Sequence, residues 1–365
     1  MQGAAAVFLM MLGLGQLAAT HWQWRGLSLV GGNKWVGYGT GAVLLVGGAL
    51  MLPASFYVLL WTPLAGVLVV ALQLWGGSVI IPPPHPDTLF LAEHPAHGGC
   101  RPVQIADGEY LMPGFLLYPP SGPSVAAVCI VPGAGDNKTF FKWRLIKTLL
   151  AEGLTVLSID PHGHGDYRNR PLVYPDCLSA VSSAVAFLRQ QPGVERVGLV
   201  GISLGGAMVI NALINQDFTP VEAVVITETP VRLNFNRALV YRELWNTLYG
   251  SPVLALLKET TVKQIRASWR SGGYVSRHTT SELFNLLNPL ENIKALKNVP
   301  MLLVYSRCDV IAPPEQAQAM RRAAPQAAFI EAKKASHMML TLVPRLNVQV
   351  ARWLNAQLIK QTADR

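Results

Sequence analysis

Acidic residues are absent from the first 86 positions of this 365-residue chain, where Arg25 and Lys34 are the only charged residues apart from histidine. Charged residues make up 14% of the whole sequence, against about 25% in an ordinary soluble domain. This scarcity excludes a disordered protein and a plain soluble one. The remaining three quarters carry charge in the usual way, which excludes a protein that is wholly embedded in a membrane.

Cysteine is the second residue type in short supply. The chain has four, at positions 100, 129, 177 and 308, with no paired spacing. This pattern excludes a disulfide framework and a zinc-binding pattern, and it fits a reducing compartment. The chain beyond Pro86 is long enough for one large α/β domain with its own core.

Apolar stretches take the place of the missing charge near the amino terminus. Residues 4–19, 35–53 and 55–81 predict two or three transmembrane helices, which together form a membrane anchor over residues 1–81. The basic residues of this region lie between the first two stretches. By the positive-inside rule we expect a multi-pass protein of an inner or plasma membrane, with the large domain after residue 81 in the cytoplasm and the lipid bilayer as a partner.

The first apolar stretch has an alternative interpretation as a secretory signal peptide. Such peptides begin with basic residues, and Met1-Gln2-Gly3 contains none, so a retained helix is favoured. In the second stretch, Gly37 and Gly41 have the GxxxG spacing that is found where helices pack closely.

A proline-rich linker over 82–101 precedes a region in which strand-like and helix-like segments alternate. This alternation predicts right-handed βαβ units and a mostly parallel, doubly wound sheet, which is an α/β fold. The predicted strands are 103–106, 109–118, 125–131, 154–159, 196–200, 223–227, 301–305 and 328–332.

A mainly helical insert over residues 231–298 interrupts this alternation. It contains ten Lys and Arg residues against four acidic ones. We expect a helical lid that rests on anionic lipid or admits an acidic or lipidic substrate. A solvated helical face is an equally good interpretation. Nucleic-acid binding is not predicted, because no recognition module accompanies the charge.

The segment Gly201-Ile202-Ser203-Leu204-Gly205 matches the GxSxG motif between a predicted strand and a predicted helix. A sharp turn at this place exposes the serine hydroxyl, and the glycines let the strand and the helix pack closely around it. A simple turn would also match five residues. The strand and helix on either side favour Ser203 as a nucleophile.

Two further residues follow in the order Ser, Asp, His. Asp309 lies just past the strand 301–305, and His337 lies in a loop after the strand 328–332. The carboxyl ends of parallel strands meet at one edge of a sheet, so we expect both residues near Ser203. Glu228, just after the strand 223–227, is the alternative triad acid.

Glycines also follow the strand 125–131, in Pro132-Gly133-Ala134-Gly135. An acyl-transfer enzyme needs two N–H donors for the developing oxyanion, and we expect those of Leu204 and Ala134 to supply them. Glycine-rich loops also bind phosphates, but this one lacks the spacing of either nucleotide-binding motif.

The run His162-Gly163-His164-Gly165-Asp166 matches an HxHxD metal-binding pattern. A metallo-hydrolase needs more histidines and carboxylates nearby than the sequence offers. We therefore predict neither a metal nor an organic cofactor.

On these motifs, the chain from about Pro102 onwards resembles the α/β-hydrolase family. The run 160–165 looks like the Asp-x-Arg-Gly-His-Gly turn of that family, with His162 in place of Arg, and the family's common His-Gly is Pro132-Gly133 here. The resemblance implies an α/β-hydrolase domain over 102–365 with the lid insert, and a Ser–His–Asp hydrolase that needs no cofactor.

The expected function is that of a membrane-anchored serine hydrolase, an esterase or lipase that cleaves small-molecule or lipid acyl esters. Its catalytic residues would be Ser203, His337 and Asp309, with Leu204 and Ala134 at the oxyanion. An acyltransferase or thioesterase with the same triad is one alternative. A non-catalytic membrane scaffold that keeps the fold is another.

Overall fold

The computed structural model describes residues 2–22, 28–30, 34–51, 65, 66, 68, 99–139, 142–215, 217–234, 236–250 and 273–359. The chain divides into two units: Met1–His85 with Val253–Ala267, and Pro86–Pro252 with Ser268–Arg365. Most of the predicted linker, and residues 251–272 of the insert, lie outside the described residues.

Among its described residues, the first unit contains the helices α1 (Gln2–His21) and α2 (Lys34–Leu50). Gly37 and Gly41 of α2 are buried against α1. A methyl group added to Gly41 would lie 2.7 Å from the side chain of Leu17, so the larger residue would displace it. The GxxxG spacing therefore marks the face on which the two helices pack, as its residues predict.

The prediction of a multi-pass membrane protein with a cytoplasmic catalytic domain is wrong. Helix α2 has 17 residues, whereas a bilayer span needs about 20. Within the described ranges, no helix combines the length and the apolar character that crossing a membrane requires. The bilayer thus has no support as a partner. The third predicted span, 55–81, lies outside the described residues apart from positions 65, 66 and 68.

Eight strands of the second unit form one sheet in the order β1-β2-β4-β3-β5-β6-β7-β8. Strand β2 is antiparallel to both neighbours, and the pairs from β4 through β8 are parallel. The predicted α/β class and mostly parallel sheet are therefore confirmed. The strands are β1 (Cys100–Asp107), β2 (Tyr110–Leu117), β3 (Ala126–Val131), β4 (Thr155–Ile159), β5 (Arg196–Ile202), β6 (Ala223–Thr227), β7 (Met301–Ser306) and β8 (Ala328–Ala332).

Helices cover both faces of this sheet. Every residue of β3, β4, β6 and β7 is buried, as expected of strands with a core on each side. One core includes residues of α4 and α5, and the other includes residues of α3 and α10. The helices of the second unit are α3 (Trp143–Ala151), α4 (Ser179–Arg189), α5 (Leu204–Leu213), α6 (Arg237–Gly250), α7 (Thr280–Leu287), α8 (Pro289–Asn292), α9 (Pro314–Ala323) and α10 (Pro344–Leu358).

The predicted insert contributes α6, α7 and α8 between β6 and β7. These ranges of the insert are helical, whereas its described residues 231–234 and 273–279 are not. The loops that follow β3, β5, β6, β7 and β8 all leave the carboxyl edge of the sheet, which is where ligands bind in open α/β folds. This edge carries the residues described next.

Candidate active site

Ser203 occupies a sharp turn between β5 and α5. Its backbone angles, φ 51° and ψ −115°, are unfavourable for a residue with a side chain. The turn is held because the N–H of Ser203 donates to the carbonyl of Thr227 at 2.9 Å, and the hydroxyl of Thr229 donates to the carbonyl of Ser203 at 2.9 Å. This local strain leaves the side chain of Ser203 half-buried at the carboxyl edge of the sheet.

Two glycines permit the close approach of the elements around this serine. A Cβ atom on Gly201 would lie 2.5 Å from the Cα atom of Gly206. A Cβ atom on Gly205 would collide with the carbonyl oxygen of Val131. The spacing of the GxSxG motif therefore has a steric cause here, since strand, turn and helix fit only with hydrogen at both positions.

The structure brings Ser203, His337 and Asp309 together from three separate loops. His337 Nε2 lies 2.9 Å from Ser203 Oγ, and His337 Nδ1 lies 2.8 Å from Asp309 Oδ2. The second oxygen of Asp309 accepts the backbone N–H groups of Ile311 at 2.7 Å and Ala312 at 2.8 Å. Both ring nitrogens and both carboxylate oxygens are thus held, and the chain of contacts can move a proton away from the serine.

Opposing effects act on the pKa of His337. Burial lowers this pKa, but the charge of Asp309 and its hydrogen bond to the imidazole have a larger opposite effect, and the pKa rises to about 9. The protonated imidazole is thus well stabilised in this site. A base that is stabilised as a cation suits a reaction in which it takes up a proton in the transition state.

Glu228, the alternative triad acid, also lies at this edge but does not replace Asp309. Its backbone φ is 45°, and its side chain is buried. No hydrogen-bond partner for its Oε2 exists in the described part of the chain. Burial raises the pKa of Glu228 well above that of an ordinary glutamate, which favours its neutral form. The geometry therefore gives the bond to the imidazole to Asp309.

One cluster of metal-ligand types occurs among the described residues, and it coincides with this site. Ligand atoms of Glu228, Asp309 and His337 all lie within 4.8 Å of one another. Asp309 and His337 already bond each other, and His337 also bonds Ser203. These contacts fit a proton relay better than a metal site, because the donor atoms are directed at one another.

Of the expected oxyanion donors, Leu204 follows Ser203 in the chain, and Ala134 lines the same cavity as Ser203. Leu204 is the first residue of α5, so its N–H has no acceptor within the helix. Gly133 packs against Ser203, since a methyl group there would lie 3.1 Å from the serine Cβ atom. Ala134, next along the loop, borders a cavity of about 170 Å³. The cavity is lined by Gly133, Ala134, Gly135, Asp136, Ile202, Ser203, Glu228, His337, Met338 and Thr341.

Sequence reasoning missed a buried ion pair that supports this glycine-rich loop. Lys142 is fully buried, and its Nζ lies 2.8 Å from Asp136 Oδ2. The same ammonium donates to the carbonyl of Asn137. Burial raises the pKa of Asp136 and lowers that of Lys142. No motif marks such a pair, because any Lys and Asp six residues apart would look the same in a sequence.

The HxHxD run does not converge on one point. His162 Nε2 lies 2.7 Å from Asp107 Oδ2, and the ring of His164 stacks on Tyr274 with centroids 5.3 Å apart. Asp166 bonds Lys138 elsewhere, at 2.5 Å. His162, His164 and Asp166 thus each have a different structural partner.

Fold and site together define an α/β-hydrolase. The chain belongs to the serine aminopeptidase S33 family, whose model matches residues 122–341. It is therefore a serine hydrolase and an enzyme, as the sequence predicts.

Solved structures share this fold at low sequence identity. DcsB, determined with a substrate analogue, is 17% identical over 72% of this chain and 100% of its own, with a TM-score of 0.53. An esterase of Exiguobacterium antarcticum is 15% identical over 70% and 99%, with a TM-score of 0.51. A Pyrococcus furiosus esterase is 19% identical over 71% and 91%, with a TM-score of 0.50. No curated protein matches the sequence.

Proposed function

We propose that this protein hydrolyses carboxylic esters of small molecules through Ser203, His337 and Asp309. One observation carries the proposal: Ser203 Oγ lies 2.9 Å from His337 Nε2, on a strained turn that presents it to a cavity. That distance lets the imidazole remove the hydroxyl proton as the serine attacks.

In the first half of the proposed reaction, Ser203 Oγ bonds to the acyl carbon and its proton passes to His337 Nε2. Asp309 stabilises the imidazolium through Nδ1. The carbon–oxygen bond to the leaving alcohol then breaks, and His337 returns the proton to that oxygen. An acyl-enzyme on Ser203 is left behind.

In the second half, water attacks the acyl carbon while His337 accepts one of its protons. The bond to Ser203 Oγ breaks, the serine recovers its proton, and the acid is released. The negative charge on the carbonyl oxygen in each half would be bound by the N–H groups of Leu204 and Ala134. Support for these two donors comes from the place of Leu204 directly after Ser203 at the start of α5, and from the cavity that Ala134 shares with Ser203.

Ester substrates are favoured by the esterases among the structures that share the fold. An acyltransferase or thioesterase would share the first half-reaction and differ in the acceptor or the leaving group. Product analysis separates these alternatives, because hydrolysis yields the free acid from an oxygen ester with water as the only acceptor.

The test combines a fluorophosphonate label with p-nitrophenyl esters of increasing acyl length. We expect the wild type to be labelled and to release p-nitrophenol, and Ser203→Ala to do neither. The matched control is Ser121→Ala, which removes an exposed serine hydroxyl and should leave both signals unchanged. An unlabelled wild type that cleaves no member of the series would contradict the proposal.

A further inference from the structure

Helix α6 of the insert contacts the loops that carry the histidine and the aspartate of the site. Three of its residues, Glu243, Asn246 and Thr247, are spaced i, i+3 and i+4, which places them on one face of the helix. Each forms a hydrogen bond with a residue next to His337 or Asp309.

On the histidine side, α6 holds the residues before and after His337. Glu243 Oε1 accepts the N–H of Met338 at 3.0 Å. The hydroxyl of Thr247 donates to Ser336 Oγ at 2.7 Å. The side chain of Ser336 and the backbone of Met338, on either side of His337, are thus bonded to the same turn of one helix.

On the aspartate side, the side-chain amide of Asn246 donates to the carbonyl of Cys308. Cys308 immediately precedes Asp309 in the loop after β7. One helix face therefore joins the two loops whose separation determines the distance between Asp309 and His337.

Glu243 is unusual for its helix because it is buried. It is 3% exposed, whereas Tyr241 and Trp245 on the same helix are 71% and 63% exposed. Its Oε2 has no hydrogen-bond partner within the described residues. Burial raises the pKa of Glu243, and the hydrogen bond from Met338 acts in the opposite direction. Burying a carboxyl group is unfavourable, so this placement needs a compensating contact.

The backbone N–H of Met338, which donates to Glu243, lies at the start of a helix, where N–H groups lack acceptors. His337–Leu342 forms a 3₁₀ helix, and Met338 is its second residue. The first N–H groups of such a helix have no acceptor within it, and a carboxyl oxygen at this end caps it favourably. Glu243 supplies that cap from a different part of the chain, directly beside the imidazole.

We propose that Glu243 is a positioning residue for His337. By accepting the N–H of Met338, it fixes the turn from which the imidazole reaches Ser203, and α6 must rest on both loops for full activity. The inference rests on the proposed function, since it concerns the same serine, histidine and aspartate. It assigns to the insert a task other than covering the cavity.

The test compares two substitutions at this position. Glu243→Ala removes the acceptor, whereas Glu243→Gln keeps a carbonyl oxygen that can accept the N–H of Met338. The control is Arg242→Ala, an exposed neighbour on α6. Initial rates with a p-nitrophenyl ester are divided by the concentration of active sites, which is titrated with the fluorophosphonate.

We expect Glu243→Ala to lower kcat per titrated site by about 10- to 100-fold, because small displacements of a catalytic group have effects of this size. KM should change little, since the cavity wall is kept. Glu243→Gln should recover most of the activity, and Arg242→Ala should match the wild type. Thr247→Val, which loses the bond to Ser336, should lower kcat in the same direction and serves if Glu243→Ala does not fold.

Three results would overturn this inference. An unchanged kcat per site in Glu243→Ala would show that the contact is not needed for catalysis. The same conclusion would follow if Glu243→Ala gave fewer titratable sites but each site had the activity of the wild type. Glu243→Gln as impaired as Glu243→Ala would show that the hydrogen bond to Met338 is not the cause. A wild type with neither turnover nor labelling would overturn the proposed function itself, and this inference with it.

Discussion

Asp309 divides its two carboxylate oxygens between His337 and its own loop. Oδ2 lies 2.8 Å from His337 Nδ1, while Oδ1 accepts the backbone N–H groups of Ile311 and Ala312. The carboxylate therefore cannot rotate without losing backbone hydrogen bonds. This arrangement favours a proton on Nδ1 of the imidazole, which leaves Nε2 to face Ser203 as an acceptor.

Asp309→Asn tests this division of roles. The amide oxygen can still accept the two backbone N–H groups, but the charge and the correct imidazole tautomer are lost. We expect kcat to fall by about 10⁴-fold, as for the equivalent change in other triads, with a small change in KM. Ester turnover is the measurement, and Asp217→Asn, in an exposed loop, is the control. A loss of less than tenfold would show that another group, such as Glu228, orients the imidazole.

The pH dependence of kcat/KM should follow the protonation of His337. The base must be neutral to accept the serine proton, and although burial lowers its pKa, the charge and hydrogen bond of Asp309 raise it to about 9. Activity should therefore rise with pH from neutral and level off above pH 9 or so. Because folding raises this pKa, the same protonation stabilises the fold most at low pH, and that contribution is lost as pH rises through about 9.

A rate profile between pH 5 and pH 10 checks this expectation, with Asp309→Asn as the comparison. Removal of the charge next to Nδ1 should move the rising limb of the variant to lower pH. A wild-type profile already level at pH 6 would contradict the raised pKa.

Lys142→Met should impair the glycine-rich loop without touching the triad. It leaves Asp136 without its buried counter-ion at 2.8 Å and the carbonyl of Asn137 without the ammonium donor. We expect a loss of stability of about 3–5 kcal/mol and a lower kcat, because the loop positions Ala134. Urea unfolding and ester turnover measure the two effects. The control is Lys147→Met, on the partly exposed side of α3, which should change neither stability nor kcat. Equal stability of the two variants would contradict the prediction.

Asp107 should be important for stability and not for catalysis. It is buried and bonded to His162 at 2.7 Å and to Arg170 at 2.6 Å. Burial raises the pKa of Asp107, but the hydrogen bond from His162, together with others, outweighs it and holds the pKa well below its usual range. Its stabilising contribution is therefore complete above the ordinary aspartate pKa of about 4 and is lost as pH falls below it.

Asp107→Ala should lower the free energy of unfolding at neutral pH by about 3–5 kcal/mol, since it leaves the half-buried Arg170 without its counter-charge and the buried His162 without its hydrogen-bond partner. Denaturant unfolding measures the change, and Glu109→Gln, in the exposed turn after β1, is the control. The rate per titrated site of the folded variant should stay that of the wild type. A loss below 1 kcal/mol would contradict the role given to this network.

The sequence was informative where a residue type is required by contacts with residues nearby in the chain. Ser203 lies in a motif whose glycines are required by contacts within a few residues, and alternating apolar segments are sufficient to predict a parallel sheet. Asp309 and His337 follow predicted strands, and the carboxyl ends of parallel strands meet at one edge. Such signals are local in the chain, which is why the fold class and three candidate residues could be predicted without a structure.

The membrane prediction failed because hydrophobic runs report composition and not the length of helix that forms. Residues 35–53 look long enough to span a bilayer, but α2 ends at Leu50, and its glycines pack against α1. The apolar residues of this region therefore form the contact between α1 and α2.

By itself, the sequence determined the order of strands and helices, the sharp turn at Ser203 and the residue types at the sheet edge. The tertiary structure alone decided which acid bonds His337, since Asp309 and Glu228 both follow strands and only their geometry and burial differ. It alone revealed the contacts of Lys142 and Glu243. These side chains come from segments whose sequence carries no motif, and their partners are determined by packing between distant parts of the chain.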